Sequence, residues 1–444
     1  MIETKNEVTA RWVLPAFTSM KYYGVVTFDG QILLKIILGS IEIPASITNH
    51  IPYAETAGGS RTVLFDGYLV ELQHGEATFR FDHAILGLYI SDVDHENNSP
   101  ILVASMTFRF DILDKWAIRG AADRSTDGDV LNIRHSIPDP IVADIDGGTV
   151  SLVTTKTESF GTLSYSYSYG NLLYVELAEP CAPETVWRKY QRGLRYLLSL
   201  LTFWLPETRP VHVTAGQAGE DPRRCVIVNG VTHEAVRASY VTVGIVPATF
   251  NELHFPAVLT KWFELVDKYD SVLDLLFVTD VDETAALTSR FFSVASAAEA
   301  MHGALFPDSK KRSAADTARV RRIAKAVKGS TDTESGDVQW LHGAVGRAHE
   351  PSFSKRLGEL FEFVGQPAQA IANGDVQQFC ADVVELRNDI AHANPITQTD
   401  WDMRRLQVGV DLLMRLVALR ELGFTDHELY RATDAVRTNI LTPI

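Results

Sequence analysis

Cysteine is scarce in this chain. Three stand among 444 residues, Cys181, Cys225 and Cys380, and no two form a C-x-x-C pair. Neither a disulfide framework nor a thiolate zinc site is indicated, and a reducing cytoplasm is the expected setting. H-E-x-x-H, the Walker loop and G-x-S-x-G are missing too. That argues against a zincin, a P-loop NTPase and an α/β-hydrolase. SDVDHENN (91–98) has alternating carboxylates but lacks the glycine and distant glutamate of a calcium loop. It reads as a polar hairpin loop. No metal and no cofactor are expected.

Long apolar runs are also missing. The longest, YLLSLLTFWL (196–205), falls well short of the roughly 20 residues a spanning helix needs. It reads as a buried helix. The N-terminus, MIETKNEVTARWV, lacks the basic start and apolar core of a secretory signal. The expectation is a cytoplasmic protein without membrane contact. Positive charge is in deficit: 41 Lys and Arg face 56 Asp and Glu, a net charge of −15. Bulk electrostatics will not hold a polyanion, so any RNA contact must be confined to a basic patch.

What is present belongs to a globular protein, with 46% hydrophobic and 22% charged residues. At about 150 residues per domain, roughly three domains are expected. Residues 1–180 form a β-rich part. YYGVVTFDG runs into QILLKIILG across a D-G turn, a hairpin signal. TVLFDGYLVEL, EATFRFDHAILGLYI, ILVASMTFRFDIL, DIDGGTVSLVTTKTE and LLYVELAE continue the alternation. The pattern predicts an antiparallel sandwich or barrel-like fold. Residues 181–250 add a helix over 183–203 and short strands at 209–215 and 223–230. Residues 251–444 turn to helical periodicity with short links and predict an all-α bundle. The fold class is therefore α+β and multidomain.

One stretch carries chemistry: ELRNDIAHANP (385–395). Asn388 and His392 are four apart and share a helix face, so the amide can orient the ring. Arg387 lies about 140° around the helix from His392, within reach of a long side chain. Pro395 disfavours helical geometry at Asn394, so the helix should end just after His392. An imidazole can take the proton of an RNA 2′-hydroxyl or return one to the 5′-oxygen. A guanidinium can steady the pentacoordinate phosphate. An Arg and a His at this spacing arise by chance about once in a chain this long, on ordinary composition. The spacing alone therefore favours a solvated helix end.

RNDIAH resembles the Arg-x(4–6)-His motif of HEPN ribonucleases, in which a polar residue follows the Arg. FFSVASAAEAMHGALF (291–306) resembles the early helix of the ApeA-like HEPN group, whose glutamate matches Glu299. LLMRLVALRELGF resembles the closing helix of the bundle. FRFDILDKWA (108–117) and RGLRYLLSLLTF (192–203) are similar to that group's β-rich N-terminal region. The resemblance implies Arg387 and His392 as catalytic, Asn388 as orienting, and Glu299 as a further site residue. It also implies a homodimer lining one cleft with two motifs. The expected role is anti-phage defence by abortive infection, with RNA, tRNA included, as substrate. A phage-derived trigger would be sensed, or the nuclease restrained, by the N-terminal region.

SKKRSAADTARVRRIAKAVK (309–328) is the most basic stretch. Lys310, Lys311, Arg312, Arg319, Arg321, Arg322 and Lys325 form either an RNA-tracking patch or a solvated helix face, with little to choose between them. Trp340 and Trp401 can stack bases, but packing is the commoner use. Two other functions stay open. One is a non-catalytic RNA-binding or protein-interaction module on a HEPN-like bundle. The other is a β-sandwich ligand binder with a dimerising helical tail.

Overall fold

A computed structural model describes residues 7–13, 21–28, 32–37, 50–56, 60–73, 76–89, 101–117, 119, 121–127, 130–160, 165–203, 205–206, 208–209, 212–217, 223–229, 250–281, 285–310, 314–328 and 351–436. Lys311, Arg312, Trp340, the loop 91–98 and the stretch 329–337 lie outside these. The chain divides into two compact units, Met1–Gly244 with Ala248–Glu264, and Ile245–Pro247 with Leu265–Ile444.

The first unit is built on strands β1 (Glu7–Val13), β2 (Lys21–Phe28), β3 (Ile32–Ile37), β4 (His50–Thr56), β5 (Ser60–Gln73), β6 (Glu76–Tyr89) and β7 (Ile101–Phe110). After these come β8 (Ala121–Asp127), β9 (Val130–Ser136), β10 (Ile141–Ile145), β11 (Gly148–Phe160) and β12 (Tyr165–Cys181). Three more follow, β13 (Thr208–Arg209), β14 (His212–Gln217) and β15 (Arg223–Asn229). Pairing runs β6-β3-β2-β1-β4-β5, and β5 returns to β6, so six antiparallel strands close a circuit. Closure removes the exposed edges that an open sheet would leave. From β6 the sheet continues through β15, β14, β7, β12, β11 and β10, while β8 and β9 form a separate hairpin. The expected β2–β3 hairpin pairs Phe28 with Ile32.

Alternation explains the packing of this sheet. Phe108, Phe110, Val150, Leu152, Leu173 and Val175 are all buried, at every second position of their strands. The apolar run 196–201 is buried on all sides. It lies in helix α1 (Arg192–Thr202), preceded by a π-helical turn over Val186–Gln191. The Trp262 indole, fully buried, donates to the Gly193 carbonyl at 2.7 Å. No helix among the described residues is long and apolar enough to cross a membrane.

The second unit is helical. It takes the end of α2 (Phe255–Val281), then α3 (Leu287–Leu305), α4 (Ala314–Lys328), α5 (Phe353–Val364), α6 (Val376–Ala391), α7 (Asp400–Glu421) and α8 (Asp426–Val436). Helices α3, α5, α6 and α7 pack on one another. Their core holds Phe291, Val294, Met301, Leu357, Leu360, Phe379, Val383, Leu386, Leu406, Val410 and Leu413. Ser352, Asp375 and Thr399 cap α5, α6 and α7 with side-chain acceptors. At α8 the cap is Thr425 and not the neighbouring Asp426. Thr425 Oγ1 accepts from the Glu428 N–H and Glu428 returns a carboxylate to the Thr425 N–H at 2.7 Å, a reciprocal capping box. Asp426 instead pairs with Arg420.

Candidate active site

Helix α6 carries RNDIAH and is seated by its apolar face. Phe379, Cys380, Val383 and Leu386 are buried. Gly409 on α7 lets the Phe379 ring approach closely. A Cβ built there would lie 2.8 Å from two ring carbons. Burial pushes the Cys380 thiol up to about 11, which keeps it protonated and unreactive at neutral pH.

The helix ends where Pro395 predicted, with His392 as its C-cap. The Asn394 N–H donates to the Asp389 carbonyl at 2.9 Å and the Ala393 N–H to Ile390 at 3.3 Å. These two bonds make a Schellman motif. Its left-handed position is filled by Ala393, with φ at +53°, where glycine is usual. Asn394 Nδ2 also donates to Asp389 Oδ1 at 3.1 Å. Asp389 therefore fixes the turn that presents His392. The ring itself is exposed.

Arg387 faces the neighbouring helices. Its Nη2 donates to Glu299 Oε2 of α3 at 3.2 Å, and its Nη1 to Asn388 Oδ1 at 3.4 Å. Its guanidinium carbon lies 5.9 Å from the centre of the Phe353 ring on α5. Glu299, singled out by resemblance, thus contacts Arg387 across 88 positions of chain. The expected amide-to-ring bond is absent. Asn388 turns to Arg387, and among the described residues no hydrogen bond joins its side chain, or that of Arg387, to the His392 ring.

Sequence reasoning missed what stands behind Glu299. Arg356 of α5 reaches its other oxygen, Oε1, at 3.4 Å, and is buried. One turn along both helices, the buried His302 ring meets Glu359 at 2.6 Å. The available signal was the polar pair Arg356 and Glu359, three apart on the otherwise apolar side of a short helix.

On α4, Arg319, Arg321, Arg322 and Lys325 are exposed. Among the described residues none of these four forms an ion pair. Lys310 ends the 3-10 turn Pro307–Lys310. Trp401 stands half-exposed in the first turn of α7.

Residues 292–428 match the family model described as Apea-like HEPN. This part of the chain is similar to Apea-like HEPN domains. The matched segment contains Glu299, Arg387, Asn388 and His392, together with helices α4, α5, α6 and α7. Comparison with curated proteins and with solved structures found no match. An antiparallel N-terminal sheet followed by a helical region with the HEPN match gives the expected α+β class. The family suggests an anti-phage effector of nuclease type.

Proposed function

We propose that this protein is a metal-independent endoribonuclease effector that acts by abortive infection. The observation that carries the reading is an exposed imidazole five residues beyond a guanidinium that a carboxylate and an aromatic ring hold in place, all within the family-matched segment.

His392 takes the proton from the RNA 2′-hydroxyl, and the 2′-oxygen attacks the adjacent phosphorus. Arg387 donates to the phosphorane oxygens as negative charge gathers there. The P–O5′ bond breaks, and a protonated imidazole, on the same chain or on a second copy, returns a proton to the leaving oxygen. The products are a 2′,3′-cyclic phosphate and a free 5′-hydroxyl. Asn388 orients Arg387 rather than the ring. The exposed cations of α4 track the RNA backbone, and tRNA is a candidate substrate. Two copies, joined through the helical part 251–444, bring two motifs to one cleft. Residues 1–180, with 181–250 as the connection, sense a phage-derived trigger or restrain the nuclease.

One observation favours a second reading, a non-catalytic RNA-binding module: Arg387 is engaged by Glu299 and Asn388 and makes no bond to His392. Incubation with total RNA in EDTA separates the two. Cleavage by wild type alone, leaving cyclic phosphate ends, supports the nuclease. Equal binding without cleavage by wild type, Arg387→Ala and His392→Ala supports the module. Toxicity on overexpression, lost in His392→Ala, controls for an autoinhibited preparation.

A further inference from the structure

Arg356 does not belong to the Arg–His motif and lies 31 positions before it in the chain. It is nonetheless the other guanidinium on the carboxylate that holds Arg387. Its Nη1 sits 3.4 Å from Glu299 Oε1, while Arg387 Nη2 sits 3.2 Å from Oε2. Its Nε donates to the Pro351 carbonyl at 3.0 Å, at the start of α5. The side chain is 11% exposed, against 32% for Arg387. One guanidinium is thus anchored inside the fold and the other reaches toward solvent, with a single carboxylate between them.

A carboxylate has two oxygens and can accept from two planar donors at once. With Arg356 on Oε1, the orientation of Glu299 is set and only Oε2 is presented to Arg387. The cluster of two cations and one anion keeps a net charge of +1, so Arg387 stays attractive to phosphate. Without Arg356, Glu299 is free to rotate and to take Arg387 with both oxygens, which withdraws the cation from the substrate.

We propose that Arg356 is a positioning residue that orients Arg387 through Glu299 for its work on the scissile phosphate. The inference rests on the nuclease reading for its functional part and on geometry alone for its structural part.

Two arms test these parts separately. In the first, crystal structures of full-length Arg356→Met and Arg356→Lys are compared with wild type. The Arg387–Glu299 pair should be re-formed two-pronged or broken beyond about 4 Å in the Met variant, and kept in the Lys variant. An unchanged single contact in Arg356→Met overturns the proposal, whatever the protein does with RNA. Should the Met variant not fold, Arg356→Gln, which keeps a donor for Pro351, replaces it. In the second arm, cleavage kinetics are read in EDTA. Arg356→Met should lower kcat at least tenfold with KM changed less than about threefold, because it positions Arg387, which acts on charge developing in the transition state. Arg356→Lys should recover part of the loss. In a Glu299→Ala background Arg356→Met should cost nothing further. A full additional loss there marks a merely structural role and sinks the idea. A wild type that leaves RNA intact removes the nuclease reading, and the first arm then decides the linkage alone.

Discussion

Arg387→Lys keeps the charge and removes the fork. In the folded protein Arg387 pairs with Glu299, and both side chains are about a third exposed, 32% and 31%. Solvent screening limits such a pair to about 0–1 kcal/mol. The Phe353 contact, at 5.9 Å from the ring centre, adds about 0.5–1 kcal/mol at most. Lysine retains part of both, so the expected stability loss is about 1 kcal/mol. For a unit of this size that is about 2–4 °C in Tm. In the transition state, removal of one aligned donor from a developing oxyanion costs about 10²–10³ in kcat. Lysine offers a point charge without the planar pair of donors, so a fall of about a hundredfold is expected. The assay is single-turnover cleavage of labelled RNA in EDTA, beside a thermal melt of the same preparation. A rate equal to wild type refutes the fork. A Tm drop of more than about 10 °C, with activity falling in step, refutes the catalytic assignment and makes Arg387 structural.

Ala393→Gly should raise stability. A non-glycine residue at φ +53° carries about 1–2 kcal/mol of strain, offset by about 0.4–1 kcal/mol of unfolded-chain entropy; a fall in Tm would contradict the strain. Gly409→Ala should destabilise despite a helix-propensity gain of about 1 kcal/mol. The new methyl meets the Phe379 ring at 2.8 Å and overpacking costs about 1–3 kcal/mol; a higher melting temperature refutes the close approach. Cys380, raised from 9.0 to about 11 by burial, should resist alkylation at pH 8 until the protein unfolds. The unfolded thiol ionises first as pH rises, so stability should decline between about pH 9 and pH 11; labelling of the native protein at the rate of a free thiol would show the burial to be wrong. Replacing Arg321 and Arg322 by Gln should lower the salt slope of RNA binding by about one to two phosphates, and an unchanged slope in filter binding would remove α4 from the interface.

Much of the second unit was legible in the sequence. The apolar spacing of VQQFCADVVEL and Pro395 together located the end of α6, because helix periodicity and the proline restriction both act over a few residues. Alternation marked strands in the N-terminal part for the same local reason. The alternation leaned to a sandwich and admitted a barrel, because closure of the circuit depends on β5 pairing back to β6 and β1 to β4. At α8, two capping residues stood side by side, and the choice of Thr425 over Asp426 fell to Glu428 and Arg420.

By itself the sequence determined the classes of element, the helix that carries RNDIAH, and an exposed His392 at its end. Those follow from propensity, periodicity and one proline. Only the tertiary structure decided where the Arg387 side chain goes. Local spacing offered it Asn388 and His392, and packing brought Glu299 from 88 positions away and Arg356 behind it. A long flexible side chain is directed by the charges that other helices place within its reach, and which charges those are is settled by how α3, α5 and α6 pack.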